Sequence, residues 1–382
     1  MAESPKSSKL ISKDFHWLRT GDQALTEMIS AISAAQESVR LEMYIFTPGP
    51  IADKFRSALV GACQRGLQVW LLIDALGSLG LPDNFWDVFR TSGGQFRWFN
   101  PLTVRRLGLR DHRKLLVCDD AIAFIGGFNI ATEYTGDGIT QGWRDLGLRL
   151  SGNALVRELS RAFDDMFALA DFKHPFLSRL RKAPGKKVVA QNGQLLLGAP
   201  GRTSELKKSL QADLERASDV CIMSAYFLPT WRLRRALGQV VRRGGRVRLI
   251  LAGKSDVQLS QLAARSLYRR FLRSGVEIYE YQPQIFHAKL VILDQVVYVG
   301  SANLDTRSLQ INYELLVRLD HATLAAEARE IFQSDIPHCQ RIDLNAWRRS
   351  RSLWEKLKQR WAYFLLARVD PFLTRKQLDL LR

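Results

Sequence analysis

The chain has 382 residues, of which 46% are hydrophobic, and its formal net charge is +18. This length suits two domains or one duplicated domain with a core of ordinary size, and the four scattered cysteines, none in a CxxC pair, disfavour a zinc site and a disulfide framework. The strong positive charge predicts an anionic partner: nucleic acid, an acidic membrane surface or a phosphorylated substrate.

The first residues of the chain form a predicted N-terminal tail, residues 1–14, without the apolar run of a signal peptide or a membrane anchor. No run of about 18 apolar residues occurs elsewhere in the sequence, so a transmembrane helix is not expected. Any contact with a membrane is therefore expected to be peripheral.

The two halves of the chain repeat the same blocks in the same order. The segment 36–46 matches 217–227, and each reads as a short buried strand after an amphipathic helix. The later matches are RGLQVWLLIDALGS with GGRVRLILAGKSD, SGGQFRWFNP with SGVEIYEYQP, and DHRKLLVCDDAIAFIGGFN with FHAKLVILDQVVYVGSAN. Strands that alternate with helices predict two α/β halves with mixed, largely parallel sheets and a site at their junction.

The repeats set the expected domain boundaries. The first half is predicted to span 15–171 and the second half 203–335. The segment between them, 172–202, is rich in proline and glycine and is predicted to be a linker. Residues 336–382 belong to neither repeat and form a predicted C-terminal tail.

The tail carries apolar residues at helical spacing: Trp347, Trp354, Leu357, Trp361, Phe364 and Leu365. Arginine and lysine occupy much of the remaining surface of this helix. A basic amphipathic helix with tryptophan at its apolar border is typical of binding to an anionic bilayer. The alternative is a helix that docks on the core of the protein itself.

Two of the six histidines occur in the same sequence frame, His112-x-Lys114 and His287-x-Lys289. On a strand, residues two apart project from the same face, so each histidine is expected to lie beside its lysine. A neutral histidine can attack phosphorus, while a lysine neutralises the non-bridging oxygens. A second, protonated histidine can donate a proton to the leaving oxygen. The pattern therefore predicts catalysis at a phosphodiester.

Small residues and an asparagine follow each histidine motif, namely Gly127 and Asn129 in the first half and Ser301 and Asn303 in the second. Small residues let the backbone approach a phosphate closely, and the asparagine amides can donate hydrogen bonds to it. We predict that these four residues bind the substrate.

Two carboxylates align between the blocks WRDLGLRL and NYELLVRL, namely Asp145 and Glu314. A carboxylate that accepts from the far ring nitrogen fixes the tautomer of a catalytic histidine. We expect Asp145 to orient His112 and Glu314 to orient His287, each within its own half. The alternative role for both acids is a surface salt bridge.

A second pair of acids, Asp119 and Asp294, falls at the predicted hairpin turns, where a structural role is favoured over a chemical one.

The paired HxKxxxxD motifs with trailing GG-x-N and GS-x-N resemble the phospholipase D superfamily, and the resemblance covers about residues 15–335. The blocks LEMYIF, FIGGFNIATEY and GSANLDTRSLQINYE, together with the basic tail, are most similar to bacterial cardiolipin synthases without N-terminal membrane helices. The resemblance implies two α/β halves that meet at a cleft, and a two-step phosphohistidine mechanism without metal or cofactor. It also includes Asp119 and Asp294 in the catalytic motif. His112 is favoured as nucleophile, although the symmetry of the sequence leaves His287 open.

The resemblance implies that a phosphatidyl group passes from one phosphatidylglycerol to another and forms cardiolipin, at the cytoplasmic face of the bacterial inner membrane. A hydrolytic phospholipase D that releases phosphatidic acid is the first alternative. A nucleic-acid phosphodiesterase is less favoured, because aromatic residues are not interleaved with basic ones in a stacking groove. A membrane-binding scaffold ranks last, because both half-sites keep every expected polar group. The loop 134–143 is expected to shape the headgroup side of the cleft, and the oligomeric state is left open.

Overall fold

The computed structural model describes residues 14–100, 109–152, 154–170, 186–190, 193–200 and 204–370. The predicted N-terminal tail lies almost wholly outside these ranges. Within them, two mixed β-sheets are surrounded by helices, which confirms the α/β fold with two similar halves. No helix of the described ranges is both long and apolar enough to cross a membrane.

The first half contains a seven-stranded sheet. Its strands are β1 (Phe15–Leu18), β2 (Ser38–Met43), β3 (Gln68–Asp74), β4 (Gln95–Phe99), β5 (Leu115–Cys118), β6 (Ile122–Gly126) and β7 (Gly147–Ser151). The helices are α1 (Gly21–Ala34), α2 (Pro50–Gln64), α3 (Asp87–Thr91) and α4 (Ala154–Leu169), with 3-10 turns at Asp83–Trp86 and Thr132–Tyr134. The sheet order is β1-β7-β6-β5-β2-β3-β4. Strands β2, β3 and β4 are parallel, whereas β5, β6, β7 and β1 follow as antiparallel neighbours.

The second half contains a nine-stranded sheet. Its strands are β8 (Lys186–Ala190), β9 (Gly193–Gly198), β10 (Asp219–Ser224), β11 (Arg246–Ala252), β12 (Glu277–Tyr281), β13 (Lys289–Leu293), β14 (Val296–Gly300), β15 (Glu314–Asp320) and β16 (Cys339–Arg341). The helices are α5 (Glu205–Leu214), α6 (Trp231–Arg242), α7 (Gln258–Arg273), α8 (Thr306–Gln310), α9 (Ala322–Asp335), α10 (Leu344–Arg349) and α11 (Leu353–Phe364). A 3-10 turn at Ile336–His338 and a π-helical turn at Leu365–Val369 complete the list.

The order of the second sheet is β16-β12-β11-β10-β13-β14-β15-β9-β8. Its central run, from β12 to β15, has the same order and directions as the run from β4 to β7 in the first sheet. The internal repeat of the sequence is therefore a repeat of topology.

Part of the segment predicted as a linker belongs to the second sheet instead. Strands β8 and β9 form a hairpin within 172–202, and β9 pairs with β15. The prolines and glycines of this segment predict turns, but β9 also contains a short apolar run. Its residues Leu195, Leu196 and Leu197 are buried. The predicted tail is likewise joined to the sheet, because β16 pairs with β12.

One buried apolar cluster joins the two halves. It includes Leu115 and Ile125 from the first sheet and Leu290, Val299 and Leu315 from the second. Each sheet also packs helices against it in a separate cluster of its own half. Removal of this much apolar surface from water stabilises the contact between the halves and holds the loops at their junction in place.

Candidate active site

Each motif histidine lies just before the strand that carries its motif, rather than within it. His112 precedes β5, and His287 precedes β13, which begins at Lys289. Each lysine ammonium folds back and donates to the carbonyl oxygen of its own histidine, at 2.8 Å for Lys114 and 2.5 Å for Lys289. Each lysine therefore lies beside its histidine, as expected. The cause is this contact with the backbone rather than a shared strand face.

The two carboxylates pair with the histidines of the opposite halves. His112 Nδ1 lies 3.0 Å from Glu314 Oε1, and His287 Nδ1 lies 2.6 Å from Asp145 Oδ2. The expected pairing within each half, Asp145 with His112 and Glu314 with His287, is therefore wrong. The alternative of surface salt bridges is wrong as well, because both acids are fully buried.

Backbone pairing between the halves explains this crossed arrangement. The amide of His112 donates to the carbonyl of Tyr313 at 3.0 Å, and the amide of His287 donates to the carbonyl of Arg144 at 2.8 Å. Tyr313 and Arg144 each stand immediately before an acid in the chain. Each histidine segment thus lies alongside the segment that carries the acid of the other half, and both histidines join one buried cluster.

Burial favours neutral side chains in this cluster. It lowers the pKa of His112 to about 4, with Lys114 adding to the effect and the carboxylate of Glu314 opposing it. Burial and the charge of Lys289 also lower the pKa of Lys114 to about 7. The pKa values of His287 and Lys289 are lowered too, first by burial. The two lysines act on each other's ionisation, so an anion between them would stabilise both ammonium groups.

Glu314 remains ionised despite its burial. Burial alone would raise its pKa, but His112, Lys114 and the hydroxyl of Ser301 together hold the pKa below its usual value. An ionised carboxylate accepts a hydrogen bond from His112 Nδ1 and leaves Nε2 as the nitrogen that can react.

The small residues after the strands β6 and β14 face the acids. A Cβ at Gly127 would lie 2.1 Å from Oδ1 of Asp145, so only glycine leaves room for this carboxylate. In the second half the hydroxyl of Ser301 donates to Glu314 Oε2 at 2.5 Å. Gly127 and Ser301 thus help to position the two acids, and their role in substrate binding stays a prediction.

The two asparagines differ in their partners. The amide of Asn129 donates to the hydroxyl of Tyr134 at 2.7 Å, and its Oδ1 accepts from the amide of Ile45 at 3.1 Å. Oδ1 of Asn303 is buried and has no hydrogen-bond partner among the described residues. Because a buried polar atom is costly without a partner, Asn303 is the asparagine better placed to meet a substrate group.

The motif aspartates lie away from the histidines, at the far ends of β5 and β13. The carboxylate of Asp119 accepts from the amides of Gln36, Glu37 and Ser38, and that of Asp294 accepts from the amides of Ser218 and Asp219. Both aspartates have positive φ, 56° and 49°, as hairpin turns of this kind require. Their inclusion among the catalytic residues is therefore wrong, and the structural alternative is confirmed.

Aromatic side chains around the histidines were missed by the sequence analysis. The ring of Tyr44 lies 4.7 Å from that of His112, and Lys114 Nζ lies 5.1 Å from the same tyrosine ring. Around His287 stand Tyr134, whose hydroxyl is 3.3 Å from Nδ1, and the rings of Trp143 and Tyr226. The blocks LEMYIF and FIGGFNIATEY contain two of these residues, but nothing in them indicates which ring faces a histidine.

The long loop 134–143 packs against the second half beside His287. The hydroxyl of Tyr281 donates to the carbonyl of Gly138 at 2.7 Å, and the side-chain Nε2 of Gln284 donates to the carbonyl of Thr140 at 2.9 Å. The loop thus holds Tyr134 and Trp143 at its two ends against the imidazole. Among the described residues, no three histidine, cysteine, aspartate or glutamate side chains are grouped as metal ligands would be.

Comparisons with known proteins agree with this fold and identify the family of the chain. The family model "Cardiolipin synthase, PLD-like domain" matches residues 28–167 and 210–336. Cardiolipin synthase B of Salmonella typhi is 30% identical over 362 residues, which cover 91% of this chain and 86% of the relative. Cardiolipin synthase 1 of Bacillus anthracis is 29% identical over 371 residues, or 93% of this chain and 72% of the relative.

Solved structures share the fold at lower sequence identity. Phosphatidylserine synthase of Haemophilus influenzae Rd KW20 is 17% identical, with a TM-score of 0.74 and 96% of each chain covered. Polyphosphate kinase of Porphyromonas gingivalis is 16% identical, with a TM-score of 0.61, and covers 99% of this chain and 57% of that one. The family model covers well over half of this chain, on the same two halves that carry the crossed histidine pairs. The chain therefore belongs to the cardiolipin synthase family of phospholipase D-like enzymes.

Proposed function

We propose that this enzyme joins two phosphatidylglycerol molecules into cardiolipin through a covalent phosphohistidine. The observation that carries the proposal is the crossed pair of histidine–carboxylate contacts, which gathers two oriented imidazoles and two lysines in one buried cluster. The names of the relatives supply the substrate class, because several of them are cardiolipin synthases.

In the first step, Nε2 of His112 attacks the phosphorus of phosphatidylglycerol. The lowered pKa of His112 keeps this nitrogen unprotonated near neutral pH, and Glu314 holds the proton on Nδ1. The P–O bond to glycerol breaks, and glycerol leaves with the proton that His287 donates. The products of this step are phosphatidyl-His112, free glycerol and a neutral His287.

In the second step, His287 accepts the proton from a hydroxyl of a second phosphatidylglycerol. The resulting oxygen nucleophile attacks phosphorus, the P–N bond to His112 breaks, and cardiolipin forms. Asp145 accepts a hydrogen bond from His287 Nδ1 in both steps and stabilises the imidazolium when the ring is protonated.

The two lysines supply the charge that the phosphate needs. Lys114 and Lys289 neutralise the non-bridging oxygens, which would otherwise repel the attacking nitrogen. A bound phosphate in turn raises the pKa of both ammonium groups and of His287, because its negative charge opposes the burial that lowers these pKa values. His287 is thereby protonated when it donates in the first step. Asn303, whose buried Oδ1 has no hydrogen-bond partner in the described part of the chain, is the proposed acceptor for a headgroup hydroxyl.

The product of phosphatidylglycerol turnover tests this proposal. Purified protein is incubated with phosphatidylglycerol vesicles, and the lipids are identified by mass spectrometry. Cardiolipin with an equal amount of glycerol is the expected result. Phosphatidic acid without cardiolipin would make the enzyme a hydrolase, and degradation of DNA or RNA without lipid turnover would make it a nuclease. Either outcome contradicts the proposal.

The nucleophile is tested in the same assay. His112→Ala and His287→Ala should each lower turnover by about a thousandfold or more, since both imidazoles are needed. His16→Ala is the matched control, because His16 is exposed and lies outside the cluster, and it should retain activity. A phosphatidyl group trapped in alkaline denaturant should be attached to His112; attachment to His287 would reverse the two roles.

We also propose that the enzyme acts as a peripheral protein at the cytoplasmic face of the inner membrane. Its positive charge suits a surface rich in anionic lipid. Fractionation of cells that contain the full chain should recover it with membranes, from which high salt releases part of it. Protection from an external protease in spheroplasts should confirm the cytoplasmic face.

A further inference from the structure

Helix α11 presents a row of large apolar side chains to solvent. Five of them are between 54% and 83% exposed with respect to the described part of the chain: Leu353, Trp354, Leu357, Trp361 and Phe364. The opposite side of the helix is docked on the protein, where Ala362 packs with Leu228 and Ala263. The helix is therefore fixed in place by one side, while no described residue covers its more apolar side.

The geometry of an α-helix places these five residues on one face. At 3.6 residues per turn they fall within an arc of about 100°. The exposed Lys358 and Arg360 fall just outside the two edges of this arc. An apolar arc with a cation on each border is the pattern of a helix that lies in the plane of a lipid interface.

The apolar surface continues from α11 onto the start of α6. Trp231 is exposed, and the guanidinium of Arg235 lies 5.5 Å from its ring centre. Arg234 of the same helix turn lies 5.7 Å from the ring of Tyr363 on α11. Because residues three and four apart share a helix face, Trp231 lies on the side of α6 that meets α11.

Loops that surround His287 support this surface. Leu228, which packs under α11, follows Tyr226, whose ring lies 6.1 Å from that of His287. The chain after α11 reaches α8, where Asp370 accepts from Arg307 at 2.6 Å. The apolar face of α11 is therefore held by contacts with the loop that contains Tyr226 and with α8.

We propose that the exposed face of α11, together with Trp231, is a docking surface for an anionic lipid bilayer beside the entrance to the His287 side of the cleft. The occupant is argued from charge: residues 344–370 contain seven basic and two acidic residues. A second copy of this chain would bring the same positive charge to the same face and would be repelled. A bilayer with anionic headgroups supplies both the negative surface and the apolar layer. The proposal rests on the proposed function only in taking the bilayer as the source of substrate.

Binding of the full chain to vesicles tests the surface without turnover. The test variant is Leu357→Gln with Trp361→Gln. Its control is Val88→Gln with Val189→Gln, which changes exposed apolar residues on α3 and on the edge strand β8. Sedimentation is measured with vesicles of equal parts phosphatidylcholine and phosphatidylglycerol, and with phosphatidylcholine alone. We expect the test variant to bind the anionic vesicles about tenfold more weakly or worse, and the control variant to bind like wild type.

Activity on two forms of the lipid separates this proposal from the proposed function. Short-chain phosphatidylglycerol below its critical micelle concentration should be turned over equally by wild type and by the test variant, whereas turnover of vesicle lipid should fall with binding. Equal vesicle binding by test variant and wild type would overturn the docking surface. The proposal would also be overturned if wild type were a dimer and the substitutions converted it to a monomer without a change in vesicle binding. Failure of wild type to turn over the short-chain lipid would contradict the proposed function alone.

Discussion

The two half-sites have the same topology but hold their acids in different ways. In the first half a glycine, Gly127, leaves room for the short side chain of Asp145. In the second half the longer Glu314 is held by the hydroxyl of Ser301. The duplicated chain has therefore kept one arrangement of carboxylate and imidazole while the residues that support it have changed.

The surroundings of the two histidines differ as well. Three aromatic residues, Tyr134, Trp143 and Tyr226, contact His287, whereas Tyr44 is the aromatic contact of His112 among the described residues. A reaction in which one imidazole bonds to phosphorus and the other transfers protons calls for such an asymmetry. Because each acid comes from the other half, neither half holds a complete histidine pair by itself.

The largest effect is expected when the crossed contacts are broken. Glu314→Gln should impair His112 and slow formation of the intermediate, and Asp145→Asn should impair His287 and slow proton transfer. Each amide removes the carboxylate acceptor and favours the wrong tautomer, so a loss of about 10²–10⁴ in kcat is expected. Single-turnover measurements distinguish the two steps. If Glu314→Gln slowed only the second step, the assignment of His112 as nucleophile would be contradicted.

An unequal pair of effects should follow when each half is given the small residue of the other. Gly127→Ser inserts a Cβ against the carboxylate of Asp145, so it should lower activity about as much as loss of that acid. Ser301→Gly removes one hydrogen bond from Glu314 and should cost roughly tenfold. Steady-state kinetics with phosphatidylglycerol measure both. Equal losses in the two variants would show that the halves support their acids alike.

The smallest expected effect concerns pH. Burial and the charge of Lys289 lower the pKa of Lys114 to about 7, so its ammonium form is lost as pH rises through that value in the free enzyme. The alkaline limb of kcat/KM should therefore begin near neutrality. Lys114→Arg should move this limb to higher pH, because arginine keeps its charge. The control Lys208→Arg, at an exposed side chain of α5, should leave it in place. If Lys114→Arg left the alkaline limb unchanged, its assignment to Lys114 would be contradicted, and loss of the proton from His287 would explain the limb instead.

Features that depend on neighbours close in the chain were predictable. The repeat of strands and helices follows from local apolar patterns. The turn role of Asp119 and Asp294 follows from residues that flank a hairpin, and it is the local interpretation rather than the family motif that the structure confirms. The pairing of β8 with β9 was not predicted, because the prolines and glycines of this segment indicate a linker and its leucine run is short.

Features that depend on contact between the halves were not predictable. His112 and Glu314 are 202 positions apart, and nothing near either residue records that they meet. The alignment of the two repeats identified both acids as partners of the histidines. It paired each acid with the histidine of its own half, whereas the contacts cross between the halves. The aromatic contacts of His287 come from both halves and were missed for the same reason.

The amino-acid sequence by itself determined the duplication, the α/β class, the two histidine–lysine motifs and the amphipathic character of the C-terminal helix. Only the tertiary structure decided which acid serves which histidine, what Gly127 and Ser301 do, and which side of α11 stays exposed. The physical reason is that periodicity and turn chemistry act over a few residues, whereas the crossed pairs and the docked helix depend on how two sheets pack around a shared apolar core.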